Sequence, residues 1–210
     1  MIFHQIPPFI PKIFPKFIWE KPSFTSNIKT IYLTFDDGPT PEVTDFVLNQ
    51  LNQFEAKASF FCIGKNIQEN PEIFERIIQN EHSIGNHTFN HLNAFKFPKQ
   101  TYEENFFKCE KEIQKFNVQS IGFRPPYGRF TPYIYQELIH HKPIIMWSVL
   151  TGDYDKALNP LKAYEKIIKN LKDGDIIVFH DSVKAYKNLS VILPKILAFG
   201  KDNSFQFKAL

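Results

Sequence analysis

Cysteine is scarce: Cys62 and Cys109 are the only thiols in 210 residues. Neither sits in a CxxC pair or a zinc-ribbon spacing, which excludes a disulfide scaffold. Cys62 lies in the apolar run Ser59 to Ile63, and Cys109 follows Phe106-Phe107 in a helical pattern. Both are expected as small buried thiols with no disulfide. Long hydrophobic runs are also missing, and nothing approaches the roughly 18 apolar residues of a membrane span. There is no run of five like charges, and the formal net charge is +3. That balance argues against nucleic acid as a partner. No internal repeat or low-complexity tract occurs. The start of the chain lacks the basic, proline-poor, small-residue pattern of a secretory signal. This favours the cytoplasm.

What is present is a globular composition: 43% hydrophobic and 22% charged, with 23 Phe and 15 Pro. A chain of this length buries about 70% of its unfolded surface and needs neither disulfide nor metal merely to fold. Residues 1–28 form a Pro/Phe-rich N-terminal arm, with Pro7, Pro8, Pro11 and Pro15 in its first half. The arm is expected to pack, extended, on a single domain spanning 29–210. A competing reading is peripheral membrane contact through residues 1–20, because Lys12, Lys16 and Trp19 interleave with aromatics. A monomer is expected.

From residue 29 strands and helices alternate. Strands are predicted at 31–35, 58–63, 82–85, 120–123, 144–147, 175–179 and 204–208. Helices are predicted at 42–55, 71–80, 101–117, 132–140, 160–171 and 189–199. This alternation implies an α/β fold with a parallel sheet and outer helices, and so many units favour a closed or nearly closed barrel. In such folds chemistry gathers at the carboxyl ends of the strands. The polar segments there are Asp36-Asp37-Gly38-Pro39, His87 to His91, Arg124 to Gly128, Ser148 to Asp155 and His180-Asp181.

Asp36 and Asp37 can face one site only where their strand ends, which Gly38-Pro39 marks. Neighbours on one strand end are poorly placed to span a sugar as a glycosidase pair. His87 and His91 have the i, i+4 spacing that brings two imidazoles to one metal from a helical turn. Asp37 would complete two imidazoles and one carboxylate with open positions, a catalytic arrangement. Zinc suits it best, with cobalt, iron or manganese as alternatives. His180 ends a strand on the same face and suits a general acid. Arg124, stiffened by two prolines, could hold Asp36 ionised. His82, His4, His140 and His141 read as structural.

These residues, in this order, resemble the NodB-homology polysaccharide deacetylases, carbohydrate esterase family four. Thr34-Phe35-Asp36-Asp37-Gly38-Pro39 is similar to the first motif of that family and His87-Thr88-Phe89-Asn90-His91 to the second. Arg124-Pro125-Pro126-Tyr127-Gly128 is similar to the third, and Ile177-Val178-Phe179-His180-Asp181 to the fifth. The resemblance implies a distorted (β/α)7 barrel that removes acetyl groups from an N-acetylated carbohydrate, its partner. It implies Asp37, His87 and His91 as metal ligands, Asp36 as the base, His180 as the acid and Arg124 as the residue orienting Asp36. It also implies the Tyr127 backbone N–H as an oxyanion donor. Pro125, Tyr127, Trp147, Asp153, Tyr154 and Val178 are the expected substrate-binding residues.

Motif four departs from the family. Leu150 stands where an acid supporting the histidine is expected, and Tyr154 replaces a Trp. The tuning of His180 then depends on whether Asp153, Asp155 or Asp181 substitutes. Two rival functions follow: a carbohydrate-binding pseudoenzyme, suggested by Leu150, and a non-haem iron enzyme using the same two-histidine, one-carboxylate set.

Overall fold

A computed structural model describes residues 4–22 and 28–210; the parts of the arm at 1–3 and 23–27 lie outside the described residues. In chain order its regular elements are α1 (Phe9–Ile13), β1 (Thr30–Asp36), α2 (Val43–Gln53), β2 (Ala58–Cys62), α3 (Gly64–Glu69), α4 (Pro71–Gln79), β3 (Ser83–Asn86), α5 (Lys99–Gln114), α6 (Pro132–Gln136), β4 (Val149–Leu150), α7 (Pro160–Ile168), β5 (Ile176–His180), α8 (Tyr186–Asp202) and β6 (Gln206–Phe207). The sheet runs β3-β2-β1-β5-β4, all parallel, and β6 pairs with the start of β1. The result is the expected distorted (β/α)7 barrel.

Period-two alternation sorts each strand into two faces. Ile31, Leu33, Phe35, Phe60, Ile177 and Phe179 join the large core under the helices, with Val47, Leu51, Ile192 and Ile196. Fully burying each such side chain contributes about 1.5–3 kcal/mol. The residues between them, Tyr32, Phe61 and Ile176, form a separate interior cluster with Ile145. Asp36 and His180 fall on this inner alternation and are register partners across β1 and β5. The sheet therefore places a carboxylate and an imidazole side by side where both strands end.

The far side of the barrel is thin. Where strands at 120–123 and 144–147 were predicted, single-residue bridges join Asn86 to Phe123 and Phe123 to Ile144. Pro125, Pro126 and Pro143 flank these points, and proline cannot donate to a ladder. The arm fills the resulting seam. Ile18 bridges Ile145, Glu20 bridges Asp175 and Gln5 bridges Val149. Phe17 and Trp19 are buried with Tyr102, Phe106 and Phe123. Of the arm's apolar residues that suggested a membrane surface, these two are committed to the core, whereas Phe9 and Ile13 remain exposed. Among the described residues no helix is long and apolar enough to cross a membrane.

The predicted helix at 132–140 is α6 followed by a separate 3-10 turn at Leu138–His140. The short α3, whose only large apolar residue is Ile67, was not foreseen. Cys62 and Cys109 are both buried and free. His82 is also buried, and burial pushes its imidazole down to about 4.

Candidate active site

A cavity of about 430 Å³ opens at the carboxyl ends of the strands, and Asp36, Asp37, His87, His91, His180 and Tyr127 are among its lining residues. Asp36 is held from inside the barrel by Arg124, which is completely buried. The Arg124 Nη1 donates to Asp36 Oδ1 at 2.8 Å and to Thr34 Oγ1 at 2.7 Å. Its Nε and Nη2 donate to the carbonyls of Ile145 and Met146. The guanidinium also lies 4.0 Å over the Phe61 ring. Burial alone would push the Asp36 carboxyl up, but Arg124, His87 and His180 more than offset it and hold it below its ordinary value. Asp36 is thus ionised at neutral pH.

Asp37 turns away from the strand in a left-handed conformation, φ 81°. Its Oδ1 lies 3.2 Å from His91 Nε2 and 3.7 Å from His87 Nε2. That oxygen is buried and has no hydrogen-bond partner. A buried, orphaned carboxylate oxygen facing two ring nitrogens costs free energy unless something between them satisfies it. Asp37, His87 and His91 are also the cluster whose ligand atoms all lie within 4.8 Å of one another. His87 Nδ1 donates to the Arg124 carbonyl at 2.7 Å. This fixes the tautomer and leaves the Nε2 lone pair toward Asp37, the usual outer contact of a metal-binding histidine. Burial pushes both imidazoles down, His91 to about 4, so both rings are neutral.

The histidines do not leave a helical turn, contrary to the reading of their spacing. Residues 87–91 form an irregular loop with Thr88 (φ 63°) and His91 (φ 54°) left-handed. Side chains behind the loop dictate this shape. Asn105 Oδ1, on α5, accepts the N–H groups of Phe89 and Asn90, both at 2.9 Å. Asn86 Oδ1 accepts that of Thr88 at 2.7 Å. Left-handed residues cost about 1–3 kcal/mol each and gather at functional sites; Asp37 and Tyr127 (φ 61°) add two more here.

His180 faces Asp36 from β5. Its Nδ1 is 2.8 Å from Asp153 Oδ1, and its backbone N–H donates to the other oxygen of the same carboxylate at 2.8 Å. Burial pulls the imidazole down, but Asp153, and then Asp37 and Asp36, raise it to about 9. The ring is protonated at neutral pH.

Asp153 therefore corrects its own expectation: it is fully buried behind His180 rather than open to a substrate. Pro125 is likewise buried and stiffens the chain after Arg124 instead of lining the cavity. The other expected substrate residues, Tyr127, Trp147, Tyr154 and Val178, do line it, with Leu150, Gly128 and Lys184. A Cβ on Gly128 would meet the Trp147 ring at 2.5 Å, so only glycine lets that indole close the wall. Asp181, one of the three possible substitute acids, instead braces the first motif. Its Oδ1 accepts the Gly38 N–H at 3.0 Å and its Oδ2 the Thr44 hydroxyl at 2.6 Å. Burial pushes the Asp181 carboxyl up to about 8. A carboxylate beside Gly38 leaves no trace in sequence spacing.

Comparison with known proteins defines the class. Residues 24–142 match the polysaccharide deacetylase family model, and the chain belongs to that family. It is 33% identical over 191 residues to a peptidoglycan-N-acetylglucosamine deacetylase of Bacillus cereus, covering 90% of this chain and 88% of the relative. It is 34% identical over 161 residues to a chitooligosaccharide deacetylase of Azorhizobium caulinodans, covering 75% and 76%. Among solved structures, the Bc1960 peptidoglycan N-acetylglucosamine deacetylase, in complex with 4-naphthalen-1-yl-N-oxidanyl-benzamide, superposes with a TM-score of 0.86. The identity there is 27%, over 98% of this chain and 95% of that one.

Proposed function

We propose that this chain is a metal-dependent N-deacetylase that removes acetyl groups from N-acetylglucosamine residues of a glycan. The observation that carries the reading is the orphaned Asp37 Oδ1 between two neutral imidazoles, opposite an ionised Asp36 and a protonated His180. Relatives that are named deacetylases of peptidoglycan and of chitooligosaccharide support the choice of sugar. A divalent ion held by Asp37, His87 and His91, with zinc the best match to these donors, supplies Lewis acidity and lowers the pKa of water.

The chain's own groups do the rest. Asp36 takes a proton from the attacking water as its oxygen bonds to the acetamide carbonyl carbon. Arg124 keeps Asp36 ionised and aimed. The Tyr127 backbone N–H is offered to the developing oxyanion. His180, whose Nδ1 is engaged by Asp153, uses Nε2 to protonate the departing nitrogen as the C–N bond breaks. Acetate and a free amine result. Val178, Leu150 and Trp147 form the apolar side of the cavity and suit the acetyl methyl group. Asp153 removes the motive for a pseudoenzyme, because the acid that Leu150 fails to supply comes from a residue three positions on.

The test is product analysis on an N-acetylated oligosaccharide with zinc present. Acetate and new amine are expected in equal amounts. Absence of both on chitooligosaccharide and on peptidoglycan fragments would overturn the reading.

A further inference from the structure

Beside the catalytic cavity runs a strip of exposed side chains that the chemistry above does not use. The Tyr127 ring, 4.5 Å from that of His91, begins the strip at the cavity wall. The Arg129 guanidinium lies 6.0 Å from the Tyr127 ring and 5.9 Å from the Phe95 ring. Tyr127 is 61% exposed and Phe95 64%. Phe95 is not on a loose loop: its N–H donates to Oδ1 of the buried Asn93 at 3.0 Å. Two large rings held open to water, with a cation between them and a catalytic cavity at one end, form a surface awaiting a partner.

Resting on the deacetylase reading, we infer that Tyr127, Arg129 and Phe95 form a subsite for the sugar next to the one deacetylated, in a glycan that carries carboxylate groups. A pyranose ring presents C–H bonds on its faces, and their positive edges suit the negative face of an aromatic ring. Arg129 offers a planar fork that matches a carboxylate. Elsewhere on the cavity lining Lys184 lies 5.4 Å over Tyr154, which itself packs edge-on to His180. Among the described residues neither Arg129 nor Lys184 makes an ion pair. Tyr127 and Tyr154 thus each have beside them a cation without an ion pair among the described residues, and an anionic polymer seated in the cavity meets both. A short neutral oligosaccharide would use the rings alone.

The experiment compares Phe95→Ala and Arg129→Gln with the unaltered chain. Acetate kinetics and calorimetric binding are measured on N-acetylglucosamine, tetra-N-acetylchitotetraose, and N-acetylated glycan strands of matched length bearing lactyl carboxylates. Both residues are exposed, so folding is preserved, and melting curves verify it. Phe95→Ala is expected to raise KM for the ligands of two or more sugars about 3- to 10-fold, leaving the monosaccharide unchanged. Arg129→Gln is expected to raise KM about 3- to 5-fold on the carboxylate glycan only, a difference that disappears at high salt. If both variants match the unaltered chain on every ligand, the subsite is overturned. If only the Phe95 effect appears, the carboxylate assignment is overturned. If no acetate is released from any ligand but Phe95→Ala still weakens tetramer binding, the subsite stands and the deacetylase reading falls.

Discussion

Asp153 Oδ1 lies 2.8 Å from His180 Nδ1, and the same carboxylate accepts the backbone N–H of His180. The pairing ties the loop after β4 to the end of β5 and gives the imidazole its charge. A group that must donate a proton at neutral pH needs a raised pKa, and a buried opposite charge supplies it.

Removing that charge while keeping the shape should therefore move the pH dependence. In the proposed reaction His180 acts as the protonated form, so turnover is expected to fall as pH rises through about 9. In Asp153→Asn the alkaline limb should shift to lower pH, with kcat at pH 8 reduced on the order of 10²-fold. Stability follows the same sign. The folded pKa exceeds the unfolded one, so this contribution is full below about 6.5 and is lost as pH rises through about 9. Leu150→Asp, by contrast, should leave the alkaline limb in place, because Asp153 already fills the role. A pH–rate profile of each variant checks both statements.

Asp36→Asn separates base from ligand. It is expected to abolish nearly all turnover while stoichiometric zinc is retained, since an amide keeps the shape but cannot take the proton. It also leaves the Arg124 charge buried without its anion, a loss of about 3–5 kcal/mol when such a pair is broken. The native Asp36 pKa lies below its ordinary value, so the pair stabilises the fold above that value and the contribution is lost as pH falls through the folded pKa. Zinc analysis beside denaturant unfolding distinguishes this from Asp37→Asn, which should lose the metal.

Asp181 should behave in the opposite sense to Asp36. Its folded pKa, about 8, is above the ordinary carboxylate value. The folded state therefore favours the protonated acid, and stability from this group declines between about pH 4 and pH 8. Asp181→Asn mimics the neutral form and still accepts the Gly38 N–H. Relative to the unaltered chain, its melting temperature is expected to improve progressively from pH 5 to pH 9. A flat difference across that range would contradict the assignment.

The sequence patterns that rest on repetition carried the fold. The apolar-rich β1 and β5, the two cysteines and the spaced apolar faces of α2, α4 and α5 were readable, because burial repeats with a period the backbone imposes. Arg124, with its two prolines, was readable as a partner for Asp36 for a similar local reason. Reading failed where long-range contacts decide. Single bridges at Phe123 and Ile144 replace full strands because prolines and the inserted arm share the barrel's far side. The loop from His87 to His91 takes its shape from Asn86 and Asn105, neither of which is part of the motif. With Leu150 at the family-typical position, sequence alone leaves the acid supporting His180 open among Asp153, Asp155 and Asp181; the fold brings Asp153 to it.

Loss of one ligand should show the shared nature of the triad. His91→Ala is expected to lower zinc affinity by at least about 10- to 100-fold, the range seen when only an outer-shell contact is removed. The barrel should remain folded, because His91 lies in a loop outside the core. Competition with a chromophoric chelator measures the affinity, and circular dichroism the fold.

The most direct measurement is acetate release by the protein stripped with a chelator and then titrated with zinc. Release is expected to be absent in the stripped protein and to rise linearly to full activity at one zinc per chain. Undiminished release from stripped protein, or a plateau that Asp37→Asn reaches at the same zinc level, would contradict a metal centre built on Asp37, His87 and His91.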